Sequence, residues 1–391
     1  MIATLTAAVG CLAWAYLLAA RGGFWRTRER DELRHVNRAG RWPSVCVVIP
    51  ARDEADSIAD NVAALLAQDY EGDFSIVVVD DHSSDGTAAI VRGLRERAAP
   101  GRVRLLAAPP LEDGWTGKLA AVAAGIREAG DVDYLLLTDA DIRHARDSLR
   151  TLVTLAEAKR LVLASRMALL RCDSVAERAL VPAFVFFFRM LYPFAWVNDA
   201  RRATAGAAGG CMLVRRDTLA HAGGIAAIRH ALIDDCALAR LLKPQGPLHL
   251  ALSQRVASTR RYGAFRDIRR MIVRSAYTEL RHSPARLAFV VVSMLIVFVA
   301  PPLFTLFGSG VARVLGFVAW VAMAVAFVPM LAFYRRSRLW ALALPAIAAA
   351  YLAMTIESAY AHLCGRGGEW KGRIAQGATP APERTAQRAV S

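Results

Sequence analysis

Residues 2–20 contain no charged side chain and are followed at once by Arg21, Arg26, Arg28 and Arg30. An apolar run of about 20 residues is what a helix needs to cross the hydrocarbon core of a bilayer. A secretory signal would carry its positive charges before the apolar run, not after it. The run is therefore expected to be a retained helix whose C-terminal end faces the cytoplasm. Three more apolar runs follow near the other end, at residues 287–307, 314–334 and 339–356. The second closes on Arg335, Arg336 and Arg338, and the third on Glu357. If all of them crossed, the basic tail with Arg366, Lys371 and Arg373 would lie outside, against the positive-inside rule. The run 339–356 is therefore expected to be re-entrant or interfacial, with the tail cytoplasmic.

Composition agrees with a chain that meets a membrane. Lys and Arg outnumber Asp and Glu by 49 − 34 = 15, and the mean hydropathy is +0.31. The 55% apolar content excludes a disordered or collagen-like polymer. Many of the basic residues flank the apolar runs, so an anionic membrane surface, not nucleic acid, is the expected partner. Six cysteines stand at 11, 46, 172, 211, 236 and 364 without C-x-x-C spacing, and read as reduced, mostly buried thiols. Residues 180–197 are greasy and aromatic but hold Arg189 and two prolines, which suits either an interfacial segment or a core helix of the polar domain.

Between residues 43 and 261 the pattern changes. Short continuous apolar runs at 45–49, 75–79, 103–106 and 134–137 alternate with helical patterns at 58–67, 87–95 and 119–129. Buried strands alternating with helices predict an α/β domain with a mostly parallel central sheet. Ligands of such sheets bind beyond the carboxyl ends of the strands. Polar residues do gather there: Pro50-Ala51-Arg52-Asp53-Glu54, Asp80-Asp81-His82, and Thr138-Asp139-Ala140-Asp141. No G-x-G-x-x-G follows the first strand and no P-loop is present, which removes the common dinucleotide and NTPase readings. The expected divisions are a helix at 1–22, the α/β domain at 43–261, a basic amphipathic segment at 262–286, a membrane region at 287–362 and a tail at 363–391.

Two clusters carry chemistry. Asp139 and Asp141, two apart at a strand end, can share a hard divalent cation such as Mg²⁺ or Mn²⁺, although such a pair also occurs in solvated turns. Asp234-Asp235 opens a helical pattern, where acids either cap the helix or act as a general base. Upstream, the loop with Gly209-Gly210 lets backbone approach a ligand closely.

The ordered series VVIPARDE, VVVDDHSSDGT, GWTGK, LLTDADI, GAAGGCMLVRR and DDCAL resembles the family 2 glycosyltransferases of the GT-A fold. RGGFW after the first helix, PAFVFFF…MLYPF, ALIDDCALAR and GRGGEWKGR are similar to the bacterial hopene-associated glycosyltransferases. The resemblance implies transfer of a sugar, with inversion, from a nucleoside-diphosphate sugar (a UDP-sugar is expected) to a lipid acceptor, hopanoid-related. It implies a bacterial plasma membrane location with the catalytic domain in the cytoplasm. Carried over residue by residue, Pro50, Ala51, Arg52, Glu54, Asp80, Asp81, Lys118 and Asp139 would bind the donor. Asp139 and Asp141 would hold the metal. Asp235 would be the catalytic base with Asp234 beside it, and Gly209, Gly210, Arg270, Arg274 and Trp370 would line the acceptor or sugar pocket. Ser275 stands where processive relatives have the tryptophan of Q-x-x-R-W, so a long processive polymerase is not expected. A polyprenyl-phosphate glycosyltransferase, a nucleotidyltransferase and a catalytically silent membrane-binding protein are the competing readings.

Overall fold

The computed structural model describes residues 1–31 and 41–365, with the backbone of the short strands Glu369–Trp370 and Arg373–Ile374. The side chain of Trp370 and the rest of the tail lie outside the described residues.

Eight strands form one sheet: β1 Val45–Ala51, β2 Phe74–Asp80, β3 Val103–Ala107, β4 Tyr134–Leu137, β5 Ile142–His144, β6 Leu163–Leu169, β7 Met212–Arg215 and β8 Leu248–Ser258. Their order is β3-β2-β1-β4-β7-β6-β8-β5. The first four are mutually parallel, β7 runs against both neighbours, and β5 runs against β8. The sheet is thus mixed, with its parallel half at the N-terminal end. β1 is buried on both faces: Val45, Val47 and Ile49 pack on one side, Cys46 and Val48 on the other. Double-sided burial is why this strand reads as an unbroken apolar run.

Register brings the polar residues level. Ala51 pairs with Asp80 and Val48 with Leu137, so the segments after β1, β2 and β4 emerge on one edge. The helices are α1 Ile2–Ala19, α2 Ile58–Leu66, α3 Thr87–Arg97, α4 Gly117–Glu128, α5 Ser148–Ala158, α6 Val175–Leu191 and α7 Phe194–Val197. They continue with α8 Arg216–His221, α9 Asp234–Leu242, α10 Phe265–Glu279, α11 Pro284–Met294, α12 Ala300–Phe307, α13 Gly310–Phe333 and α14 Leu344–Leu363. Gly125 lets α4 lie flat on the sheet, since a Cβ there would come within 2.4 Å of Val48 Cγ1.

Four helical segments among the described residues are long and apolar enough to cross a membrane: Ile2–Ala19, Pro284–Phe307, Gly310–Phe333 and Arg338–Leu363. Their surfaces expose large apolar side chains such as Phe289, Phe307, Val311 and Phe317. The last segment begins as a tight 3₁₀ helix, Arg338–Ala343, before α14. Arg336, just before it, and Ala361, near its end, line the same cleft. The end of α14 also holds the basic helix α10, through Glu357 to Arg269 (Oε2 to Nε, 2.7 Å) and Ser358 Oγ accepting from the Tyr277 N–H at 3.0 Å.

Residues 180–197 form most of α6 and all of α7, a core helix pair at the junction. Phe186 packs on Phe24 and on Phe327 of α13, and Phe187 on Phe298 and Tyr351. Arg189 is fully buried there, bonded to Glu29 at 2.7 Å and to the Phe24 carbonyl at 2.7 Å, with its guanidinium over the Phe194 ring. This cluster ties the segment after α1 to the domain. Removing the partner of a buried charge is far costlier than forming the pair was favourable. Glu29→Ala is expected to destabilise the protein by about 3 kcal/mol, read as a clear fall in melting temperature in detergent. Asp199→Ala, which breaks the exposed Arg201 pair, should leave the melting temperature unchanged.

Candidate active site

The loop after β1 is laced to the loop after β2. Asp53 stands in the left-handed region at φ 48° and accepts from the Ser84 N–H at 2.8 Å. The Glu54 N–H donates to Thr87 Oγ1 at 2.9 Å, and the Ala55 N–H to Asp85 Oδ2 at 2.8 Å. Arg52 Nη1 donates to the Asp81 carbonyl at 2.6 Å and lies 3.5 Å from its carboxylate. Asp80 Oδ1 is buried without a hydrogen-bond partner among the described residues, an arrangement that a ligand's donor would relieve.

Lys118 occupies the first turn of α4, behind the N-cap Thr116. Its Nζ lies 2.9 Å from Asp139 Oδ1 and 3.0 Å from Asp234 Oδ2. One ammonium thus joins the end of β4 to the start of α9. Burial works against its charge, but the two carboxylates outweigh that and raise its pKa.

Asp235 faces the other way on the same helical turn. Its Oδ2 accepts from the Gly209 N–H at 2.9 Å, and its Oδ1 from its neighbour Cys236 N–H at 2.7 Å. A Cβ on Gly209 would sit 3.5 Å from Asp235 Oδ2 and 3.6 Å from Lys118 Nζ, so the loop passes between the two groups. Burial first, and then the adjacent Asp234, push the Asp235 carboxyl up to about 6, against the pull of Lys118 and the two N–H donors. Thr138 anchors this arrangement: its hydroxyl donates to the Gly210 carbonyl at 2.7 Å and lies 3.0 Å from His144 Nε2. Burial holds His144 down to about 4, so it is a neutral support.

Asp141 is bonded by Arg260, Nε to Oδ2 at 2.8 Å, and the same guanidinium reaches Glu54 Oε1 at 3.1 Å. No motif in the sequence marks Arg260. Its only signal is its position, two residues beyond the end of β8.

Lys118, Asp139, Asp141, Asp234, Asp235 and Arg260 open on one cleft of about 1800 Å³. Of the residues expected at the site, Pro50, Glu54, Lys118, Asp139, Asp141 and Asp234 line it. So do Asp235, Gly209, Gly210, Arg270 and Arg274. Ala51, Arg52, Asp80 and Asp81 are not in its lining; Ala51 is wholly buried, and Arg52 and Asp81 engage each other at the strand ends. Acids at the carboxyl edge of the sheet line one part of the cleft, and Arg270, Arg274, Arg335 and Arg336, from α10 and the end of α13, line another together with Asp173 and Asp267; none of these four arginines forms an ion pair among the described residues.

Among the described residues, no group of three or more His, Cys, Asp or Glu side chains is arranged to hold a metal alone. Mg²⁺ and Mn²⁺ need fewer protein ligands when substrate phosphates and water complete the shell. The oxygen-only set of Asp139 and Asp141 fits a hard cation of that kind.

Residues 46–222 match the Glycosyl transferase family 2 model. An N-acetylglucosaminyltransferase of Mesorhizobium japonicum is 36% identical over 108 residues, 27% of this chain and 24% of that protein. The chain thus spans about a quarter of the length of the curated relative it matches. Among solved structures, the mannosyltransferase PcManGT from Pyrobaculum calidifontis, in complex with GDP-Man and Mn²⁺, is 20% identical with a TM-score of 0.54. That match covers 93% of this chain and 99% of the other, so the likeness of fold includes the region beyond the family match. The acids, the lysine and the glycine loop are therefore set on the mixed GT-A-like sheet, and residues 46–222 of this chain are a glycosyl transferase family 2 domain.

Proposed function

We propose that the protein is a membrane-bound inverting glycosyltransferase that moves a sugar from a nucleoside-diphosphate sugar to a lipid at the cytoplasmic face of the bacterial plasma membrane. One observation carries this reading: Lys118, Asp139, Asp141 and Asp235 converge on a single cleft that extends to the ends of the apolar helices. The family 2 domain match and the N-acetylglucosaminyltransferase relative support sugar transfer, and the GDP-Man complex supports a nucleotide-sugar donor. A UDP-sugar is the donor proposed here.

In this reading the acceptor hydroxyl lies against Asp235. Its oxygen forms the new bond to the anomeric carbon as the bond to the diphosphate breaks, and Asp235 receives the hydroxyl proton. A carboxyl raised to about 6 remains ionised at neutral pH yet is a stronger base than an ordinary carboxylate. Lys118 stands ready to face the negative charge that the diphosphate gains. A divalent cation bound by Asp139 and Asp141 would act as a Lewis acid toward that same diphosphate.

The membrane arrangement follows the charges. Arg21, Arg26 and Arg28 after α1, and Arg335, Arg336 and Arg338 after α13, belong on the cytoplasmic side with the domain. Contacts of Arg336 and Ala361 with one cleft support a segment 338–363 that leaves and returns on that side, with a cytoplasmic tail.

The resemblance implies a hopanoid-related acceptor. Arg270, Arg274, Arg335 and Arg336, which form no ion pair among the described residues, favour a second reading, a polyprenyl phosphate, whose anionic head they would match. The two readings separate when purified membranes are given UDP-sugars and GDP-mannose with each lipid class. Label in an alkali-stable ether supports the hydroxyl acceptor. Label in an acid-labile phosphodiester supports the phosphate, and no label in any lipid removes both.

With a hydroxyl acceptor, Asp235→Asn should lower kcat at least about 100-fold with donor binding retained. Near-normal turnover would remove Asp235 from the role. Because the base must be ionised, kcat/KM should fall as pH drops through about 6, about tenfold per unit below it. A flat profile between pH 5 and 8 contradicts this assignment. Asp141→Ala should abolish the Mn²⁺ dependence of nucleotide binding measured by calorimetry.

A further inference from the structure

Arg260 holds two carboxylates that come from different parts of the fold. Asp141 lies between β4 and β5, and Glu54 in the loop after β1. The guanidinium fork spans both, at 2.8 and 3.1 Å. Asp141 has little room for a second partner: its side chain is 13% exposed, and Ser258 Oγ lies 3.4 Å from the oxygen that Arg260 holds. A cation approaching that oxygen meets the guanidinium first.

The backbone around Arg260 is pinned. The Thr259 N–H donates to the Asp141 carbonyl at 2.7 Å, the Arg260 N–H to Ser258 Oγ at 3.2 Å, and the Tyr262 N–H to Glu177 Oε1 at 2.9 Å. Glu177 in turn closes the capping box of α6 with Ser174. The Arg260 side chain, by contrast, is 42% exposed and lines the cleft. It can leave its carboxylates by rotating alone, with no rearrangement of the chain.

We propose that Arg260 is an exchangeable counter-ion: Asp141 and Glu54 hold it until a divalent cation takes Asp141, and it then re-pairs with the diphosphate of the incoming donor. The identity of that diphosphate rests on the proposed glycosyl transfer. A planar guanidinium suits either partner, since carboxylate and phosphate both accept its parallel donors. Cation alone must compete with Arg260, and diphosphate alone must draw Arg260 from two carboxylates. Together each removes the obstacle to the other, so the two bind with positive coupling, and the coupling is reciprocal. The cleft then loads cation and donor as a unit. Arg260 is in this sense a positioning residue for both.

The test uses the full chain in detergent, with Mn²⁺ affinity read from the electron paramagnetic resonance of free Mn²⁺. Without nucleotide, Arg260→Gln should bind Mn²⁺ about tenfold more tightly than the wild type. Arg261→Gln removes the same charge from the next residue, which lines the same cleft and has no ion pair among the described residues; it should change Mn²⁺ affinity less than about twofold. In saturating Mn²⁺, Arg260→Gln should bind UDP and GDP about tenfold more weakly than the wild type. Arg260→Lys, which keeps the charge but loses the fork, should fall between the two, and carries the comparison if Arg260→Gln does not fold. Unchanged Mn²⁺ affinity in the Arg260 variants, an equal gain in Arg261→Gln, or undiminished nucleotide affinity each overturns the exchange. If the wild type binds both Mn²⁺ and nucleotide while the variants behave like it, only the exchange fails. If no form of the protein binds Mn²⁺ or either nucleotide, the proposed function fails with it.

Discussion

The site depends on one ammonium group. Lys118 is the only described contact through which the end of β4 and the start of α9 share a counter-ion, at 2.9 Å from Asp139 and 3.0 Å from Asp234. Without it, Asp139, Asp234 and Asp235 would face one another across a cleft with no positive charge between them. Like charges in a poorly hydrated site either take up protons or push their elements apart. Lys118 supplies the positive charge from the first turn of α4. Arg260 performs the same service for Asp141 and Glu54 on the other side. The four acids are thus held ready by two cations, and the cost of gathering them is met before any ligand arrives.

The second constraint is the junction between the domain and the apolar helices. Helix α6 forms that junction. One of its faces carries Phe186 and Phe187 against α13 and α14, and its N-terminal cap, through Glu177, holds the loop that bears Arg260. Buried Arg189 then binds the segment that follows α1. The cap that holds the Arg260 loop and the aromatic face that meets the apolar helices thus belong to one helix, which links the sheet edge to those helices.

Much of this was legible in the sequence, for physical reasons. Strands β1, β2 and β4 are buried on both faces and parallel, with β3 as the partly buried edge, so they appear as short apolar runs with polar residues at their carboxyl ends. Register alone then predicts that Pro50, Asp80 and Asp139 share an edge. The later strands were harder. β6 carries Arg166 in its middle, 5% exposed and bonded to the Ser165 carbonyl and His249, and β8 carries buried Ser253 beside Arg255. Polar groups satisfied inside the fold break the apolar pattern that marks a strand. Arg260 could not be read at all. Its role comes from meeting two acids about 120 and 200 residues away in sequence, and no local pattern encodes such a meeting.

The adjacent pair Asp234-Asp235 shows why order within a motif matters more than its presence. Successive residues on a helix point about 100° apart, given 3.6 residues per turn. On the first turn of α9 this sends Asp234 toward Lys118 and Asp235 toward the Gly209 N–H. Asp234 is paired with a full charge, and Asp235 is held by two backbone dipoles. There, burial and then the charge of Asp234 push the Asp235 carboxyl up to about 6. Asp234 contributes to that shift as the nearby negative charge, while its own carboxylate pairs with Lys118. Two identical side chains thus make different contacts, separated by nothing more than the pitch of the helix.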